Sequence, residues 1–150
     1  MTTDVAVSHS LRLEDQMCFA LYAASRAVTG VYRPLLDELG LTYPQYLVML
    51  VLWGQGSCSV KDLGAALHLD YGTLTPLLKR LEAAGYLSRR RRATDERTVD
   101  LVLTEAGAAL RDRARPIPPA ISQAMALTAD ETATLRALLR KLTTSVTTPS

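Results

Sequence analysis

The chain has 150 residues, of which 48% are hydrophobic, 21% charged and 5% aromatic, and its formal net charge is +2. This composition supports one globular domain rich in helix formers. Two cysteines are too few for a disulfide framework, no basic-then-apolar leader opens the chain, and no apolar run is long enough to span a bilayer. We therefore expect a cytoplasmic protein with no membrane partner.

Apolar residues at intervals of three and four predict a long amphipathic helix over residues 11 to about 39. A second, almost wholly apolar helix begins near Thr42, which can cap it, and stops at Gly54 and Gly56. A short third helix is predicted over residues 60–67.

The fourth predicted helix begins near Thr73, so that Pro76 falls in its first turn, and it ends at Gly85. Leucines at i, i+3, i+4 and i+7 predict one buried stripe along it. Two strand-like runs, YLSRRRR and TVDLVL, follow as a hairpin with a basic tip. Further helices are predicted over about 104–114, interrupted by prolines, and over about 128–144. This order predicts a mainly α fold with a small β-wing, a winged helix-turn-helix.

Basic residues are concentrated on the fourth helix and the hairpin. Residues 79–97 contain seven basic and three acidic residues, a net charge of +4, which indicates a polyanionic partner. The arginine run alone is equally typical of a solvated surface, but the helix pair and the hairpin beside it favour binding to double-stranded DNA. RNA is disfavoured because the sequence shows no aromatic platform on which bases could stack. The predicted DNA contacts are Tyr71, Thr73, Thr75, Pro76, Lys79 and Arg80 on the helix, and Arg89, Arg91 and Arg97 on the hairpin.

Cys18 lies near the start of the first predicted helix, where the helix dipole favours a thiolate. A free cysteine is more often a packed apolar residue, and the sequence leaves both interpretations open. Tyr32 follows fourteen residues later, about 21 Å away on a straight helix. The two meet only if the helix breaks sharply, as Gly30 or Pro34 would allow, or if a second copy runs antiparallel. A two-fold dimer is also expected because it matches a palindromic DNA site.

The segments CFALYAASR and LTYPQY and the Asp-x-Arg at the hairpin tip resemble the MarR family of winged-helix regulators, and within it the organic hydroperoxide resistance regulators. The likeness covers about residues 11–110. It implies a single MarR-type domain, 1–150, that forms a two-fold dimer. Residues 11–40 and 104–145 are the expected dimerisation helices, residues 41–103 the DNA-binding part, and Asp95 and Arg97 a salt bridge of the wing.

The resemblance also implies a repressor that controls a peroxide-detoxification gene. Cys18 matches the family's sensing cysteine, which an organic hydroperoxide oxidises to sulfenic acid, and the dimer then leaves its operator. Tyr22, Tyr32 and Tyr43 match its pocket, the last two reaching it from the partner subunit. Because no cysteine follows Cys58, which is interpreted as a packed residue, a low-molecular-weight thiol is expected to trap the oxidised sulfur.

Two other classes of function remain open. Many MarR-type repressors are released by reversible binding of a small phenolic or aromatic-acid ligand, for which the tyrosines would form a wall. A thiol peroxidase or reductase is disfavoured because no Cys-x-x-Cys occurs. Neither His9 nor His68 has a cysteine or carboxylate at ligand spacing, so we expect no metal or other cofactor.

Overall fold

The structure, a computed structural model, describes residues 9–148 apart from the side chains of Asp95 and Glu96. Its elements are a 3-10 turn at Leu13–Asp15, α1 (Met17–Asp37), α2 (Tyr43–Gln55), β1 (Ser57–Ser59), α3 (Val60–Leu67), α4 (Tyr71–Ala83), β2 (Leu87–Arg92), β3 (Asp95–Leu103), α5 (Glu105–Ala114), α6 (Ile117–Met125) and α7 (Ala129–Thr147). The predicted fold class, mainly helical with a small wing, is confirmed.

Polar side chains determine where α2 and α3 begin. Thr42 and Gln45 form a capping box, in which each side chain accepts a hydrogen bond from the backbone N–H of the other residue. Ser59 caps α3 by accepting a hydrogen bond from the N–H of Asp62 at 3.0 Å. Both predicted helix starts are confirmed.

The start of α4 differs from the prediction. Asp70 Oδ1 accepts a hydrogen bond from the N–H of Thr73 at 2.7 Å, and this cap lets the helix begin at Tyr71, two residues early. Pro76 therefore lies beyond the first turn, where its missing N–H cannot close the helical bond to the Gly72 carbonyl. The helix continues through it to Ala83.

The chain divides into two compact units, Met1–Arg115 and Pro116–Ser150. In the first unit, α2 is the central helix, and it packs against α1, α3, α4, α5 and the sheet. The predicted leucine stripe of α4 belongs to this core, although Leu77 is only half-buried. A fully buried leucine contributes about 2 kcal/mol. The buried apolar residues include Leu36, Tyr46, Val48, Met49, Leu52, Leu63, Leu74, Leu78, Leu81, Leu87 and Leu101.

The sheet has the order β1-β3-β2, and both pairings are antiparallel. β3 is therefore hydrogen-bonded on both sides, with Cys58 opposite Leu101 on one side and Arg90 opposite Asp100 on the other. The sequence did not predict β1, because three residues that pair with a distant strand show no period of their own.

The second unit contains α6 and α7. The prolines at 116, 118 and 119 interrupt the chain after α5, as predicted, and they begin a further helix, α6, that the sequence did not predict. A proline in the first helical turn is tolerated because its N–H would have no helical partner. α7 follows a capping box of Thr128 and Glu131 and reaches Thr147, beyond the predicted end at 144. Among the described residues, no helix is both long and apolar enough to cross a bilayer.

Candidate DNA-binding and thiol sites

Cys18 is an exposed thiol in the first turn of α1. The sequence predicted one helix from residue 11, but a separate 3-10 turn ends at Asp15 and α1 begins at Met17, after its N-cap Gln16. Cys18 is thus the second residue of the helix. The unpartnered N–H groups and the positive end of the dipole there favour an anion.

Two carboxylates precede this thiol, and both have partners of opposite or neutral charge. Glu14 forms an ion pair with Arg12, and its own backbone N–H and Arg12 hold the pKa of that carboxyl below its usual value. Asp15 Oδ2 accepts a hydrogen bond from Ser10 Oγ at 2.7 Å. The guanidinium of Arg12 therefore partly compensates the negative charge of Glu14.

Exposed apolar side chains surround Cys18 along α1. Met17, Phe19 and Tyr22 are 65%, 42% and 58% exposed. The Tyr22 ring lies 5.6 Å from the guanidinium carbon of Arg26, and a shallow cavity of about 390 Å³ lies over both residues. Large apolar side chains concentrated on one exposed helix are typical of a surface that another protein covers.

Tyr32 and Tyr43 lie in direct contact, with ring centroids 4.8 Å apart. The buried Tyr46 lies beneath them, 5.7 Å from the ring of Tyr32 and 6.4 Å from that of Tyr43. Burial, reinforced by the neighbouring phenols, raises the pKa of Tyr32 to about 12, and burial also raises the pKa of Tyr46. Both hydroxyls therefore stay protonated, and able to donate a hydrogen bond, throughout the physiological pH range.

The structure does not bring Cys18 to Tyr32 within one chain. α1 is continuous from Met17 to Asp37, through both Gly30 and Pro34. No break therefore shortens the distance of about 21 Å that fourteen helical residues span. A contact between Cys18 and Tyr32 therefore requires a second copy of the chain.

The second thiol, Cys58, has a different environment. It lies in β1, half-buried and paired with Leu101. Burial raises the pKa of this thiol, and the nearby carboxylates of Asp62 and Asp100 raise it further. Because the thiolate is the reactive form, the raised pKa lowers the reactivity of the Cys58 thiol at neutral pH.

The face of α4 opposite the leucine stripe is accessible. Tyr71, Thr73, Pro76, Lys79 and Arg80 are exposed, as the recognition-helix prediction requires. Thr75 is half-buried, and its hydroxyl donates to the carbonyl of Tyr71 at 2.8 Å. It can therefore present mainly its methyl group and an acceptor lone pair.

Two of the predicted wing arginines differ in environment. Arg89 is half-buried, and its Nε lies 3.7 Å from Glu82 Oε1 of α4, too far for a hydrogen bond. Arg91 is exposed. Arg89 is thus held toward the recognition helix, whereas Arg91 is accessible to a duplex.

At the tip of the wing, Arg92 donates two hydrogen bonds to the carboxylate of Asp100, at 2.9 and 3.3 Å. Arg97 is exposed. Its predicted salt bridge to Asp95 lies outside the described residues, because that side chain is not among them.

A cleft of about 910 Å³ lies between α3, the start of α4 and the wing. Lys61, His68 and Arg97 line it, with Asp62 as the acidic residue among them. Sequence reasoning missed Lys61 and His68, because single basic residues on a short helix carry no pattern. Among the described side chains, no group of three His, Cys, Asp or Glu is arranged to hold a metal.

Comparison with known proteins places this geometry among regulators. The family model of the SarA/Rot transcriptional regulators matches residues 30–113. The chain is 52% identical over 111 residues to the organic hydroperoxide resistance transcriptional regulator of Bacillus subtilis (strain 168), covering 74% of this chain and 76% of that protein.

Two solved structures are also similar. Reduced AbfR bound to DNA, from Staphylococcus epidermidis, is 36% identical with a TM-score of 0.75, covering 90% of this chain and 94% of that one. BpsR of Bordetella bronchiseptica, whose DNA binding is regulated by 6-hydroxynicotinic acid, is 27% identical with a TM-score of 0.81, covering 89% and 97%.

Proposed function

This chain belongs to the MarR family of winged-helix DNA-binding transcriptional regulators, and we propose that it is a repressor that senses organic hydroperoxides through Cys18. Oxidation of Cys18 releases the operator and derepresses a peroxide-detoxification gene. The observation that carries the proposal is the position of Cys18, an exposed thiol in the first turn of α1 among exposed apolar side chains. The likeness to a hydroperoxide resistance regulator supports the same substrate class.

The oxidation step transfers oxygen to sulfur. The Cys18 thiolate attacks the terminal oxygen of the hydroperoxide, the O–O bond breaks, and the departing alkoxide takes up a proton to become an alcohol. The sulfur loses two electrons and becomes a sulfenic acid. A low-molecular-weight thiol then condenses with the sulfenic acid, forming a mixed disulfide and water.

The sensing site requires a homodimer. In this proposal Cys18 faces Tyr32 and Tyr43 of the partner subunit, as the family resemblance implies, and the continuous α1 supports it by keeping Tyr32 of the same chain about 21 Å away. The protonated phenol of Tyr32 is suited to donate a hydrogen bond to a thiolate. The exposed Phe19 and Tyr22 give the site an apolar wall, which favours peroxides with organic tails over hydrogen peroxide.

The DNA-binding face combines α4 and the wing. In this proposal α4 enters the major groove of a palindromic operator, where Arg80 reads a guanine edge and Tyr71, Thr73 and Lys79 contact neighbouring bases or phosphates. Arg97 at the wing tip enters the adjacent minor groove.

The DNA backbone between the major and the minor groove runs along the cleft lined by Lys61 and His68. The first helix of a helix-turn-helix crosses the DNA backbone, so a lysine in its first turn is positioned for a phosphate. Such contacts increase affinity and salt dependence without selecting a sequence.

The test compares the two thiols. Operator binding is measured by fluorescence anisotropy before and after cumene hydroperoxide, for the wild type, Cys18→Ser and the matched control Cys58→Ser. We expect the wild type and the Cys58 variant to leave the DNA and the Cys18 variant to stay bound. Release of the Cys18 variant at the wild-type peroxide concentration would remove this residue from the mechanism.

A second candidate function is release by a small phenolic or aromatic-acid ligand. The likeness to BpsR favours it, and the contacting rings of Tyr32 and Tyr43, both half-buried, offer an aromatic wall. Release of Cys18→Ser from the operator by 6-hydroxynicotinate, in reductant and without peroxide, would support this candidate. No release at millimolar concentration would exclude that ligand.

A further inference from the structure

A chain of contacts leads from the phenols of the sensing site into the DNA-binding part. Tyr46, which contacts both Tyr32 and Tyr43, meets the ring of Trp53 edge-on, with centroids 6.2 Å apart and planes 70° apart. Trp53 Nε1 then donates a hydrogen bond to the carbonyl of Gly107 at 2.9 Å. The aromatic residues of α2 are thereby fixed to the first turn of α5.

Gly107 is in turn fixed to the joint between α4 and β2. A Cβ atom at Gly107 would lie 2.1 Å from the carbonyl oxygen of Tyr86, so only glycine fits this contact. The N–H of Gly107 donates to Thr104 Oγ1 at 3.0 Å, and that hydroxyl donates to the carbonyl of Gly85 at 2.6 Å. Gly85 and Tyr86 connect the recognition helix to the wing.

We propose that Tyr46 and Trp53 are positioning residues that transmit oxidation of the sensing thiol to the joint at Gly85 and Tyr86. This inference rests on the proposed function and names the route by which that site acts. Oxidation adds oxygen, and then a thiol adduct, to the sulfur of Cys18, and the larger group displaces the phenols of Tyr32 and Tyr43.

The shift passes inward because the core beneath the phenols is closely packed. Tyr46 is 2% exposed, and its neighbours Val48, Met49 and Leu52 in α2 are fully buried, so the ring of Tyr46 has little room to yield. A displaced Tyr46 moves the edge of Trp53, and the hydrogen bond of Trp53 moves the first turn of α5. The joint at Gly85 follows, because the bonds through Gly107 and Thr104 hold it to that turn.

The experiment uses the single tryptophan of the chain as a reporter. Because Trp53 is half-buried with its N–H engaged, its emission should shift when full-length protein is treated with cumene hydroperoxide. The shift should be absent in Cys18→Ser. Unchanged emission in fully oxidised wild type overturns the proposal.

Two variants separate transmission from packing. Trp53→Phe keeps an aromatic ring but removes the N–H donor, and Tyr46→Leu removes the ring contacts, with Tyr46→Phe as the control that keeps them. Each protein is titrated with cumene hydroperoxide while Cys18 oxidation is followed by mass spectrometry and operator affinity by anisotropy. We expect the loss of affinity per oxidised Cys18 to be at least about tenfold smaller in Trp53→Phe and Tyr46→Leu, and unchanged in Tyr46→Phe.

If Trp53→Phe loses operator affinity as strongly as the wild type at the same degree of Cys18 oxidation, the proposal is overturned. This result is decisive even if Tyr46→Leu does not fold. The result for Cys18→Ser distinguishes this failure from failure of the proposed function. If Cys18→Ser resists peroxide while Trp53→Phe behaves as wild type, the sensing function stands and the route through Trp53 is wrong.

Discussion

A mixture of two defective chains should restore peroxide sensing. One chain carries Cys18→Ser, and the other keeps Cys18 but carries Tyr32→Phe and Tyr43→Phe. Neither homodimer has a complete site. In the mixed dimer, Cys18 of the second chain faces the intact tyrosines of the first, because the continuous α1 forbids a site within one chain.

The expected magnitudes follow from the number of phenols and from the statistics of mixing. A hydrogen bond to a charged group is worth about 1.5 kcal/mol or more, so loss of two such bonds to the charge that develops in the transition state slows oxidation of Cys18 about a hundredfold. An equal mixture of freely exchanging chains contains about half mixed dimers, each with one complete site. About half of all Cys18 thiols should therefore react at the wild-type rate, and the rest about a hundredfold more slowly.

The assay is quenched-flow oxidation with cumene hydroperoxide, followed by mass spectrometry of the peptide that contains Cys18. The double phenylalanine variant alone provides the slow reference rate, and native mass spectrometry of the complementing mixture, which separates mixed dimers from both homodimers by mass, checks that subunits exchange. A single slow phase in the complementing mixture, despite confirmed exchange, would refute the arrangement of Cys18 against the partner's phenols.

Three further predictions concern the DNA-binding face and the phenols. Lys61→Ala should lower the slope of log affinity against log salt by about 0.9 per copy, or about 2 per dimer, in operator titrations at several salt concentrations, whereas Lys141→Ala in α7 should leave it unchanged. Arg80→Ala should reduce discrimination between the operator and a scrambled duplex by about 1–3 kcal/mol. If wild type and variant discriminate equally, the assignment of Arg80 to the base-reading face is wrong. Because the pKa of Tyr32 is raised from 10.0 to about 12 in the folded chain, its contribution to the free energy of unfolding is fully present below pH 10.0 and is lost as the pH rises towards about 12. Ultraviolet titration should show a phenol that ionises at higher pH than the others, and Tyr32→Phe should remove it.

The sequence predicts those elements whose signals are local. The starts of α2 and α3 follow from a threonine and a serine cap, which act within three residues. The start of α4 was placed two residues late because Asp70, rather than a residue nearer Thr73, supplies the cap. β1 could not be predicted, since its three residues are ordered by pairing with β3 more than forty positions away.

The same distinction between local signals and contacts with distant residues applies to the candidate site. Residue types and a family resemblance identify Cys18 and the tyrosines, but the first-turn position of Cys18 depends on the end of a 3-10 turn that continues the same apolar spacing. The hydrogen bond from Trp53 to the carbonyl of Gly107, and the cleft that contains Lys61, exist only after distant elements pack. Such features have no signature in the linear chain.

The central place of β3 has a mechanical consequence for operator choice. Because hydrogen bonds to β1 and β2 hold it on both sides, the base of the wing cannot pivot independently of α3, which follows β1 directly. Only residues 95–99 of β3, which pair with β2 but not with β1, form a two-stranded ribbon that is free to bend toward a groove. Each subunit therefore binds the duplex as a rigid body in which only the tip of the wing is flexible. A dimer of such subunits would tolerate local variation in groove width, but it would not tolerate half-sites whose spacing is out of phase with the DNA helix.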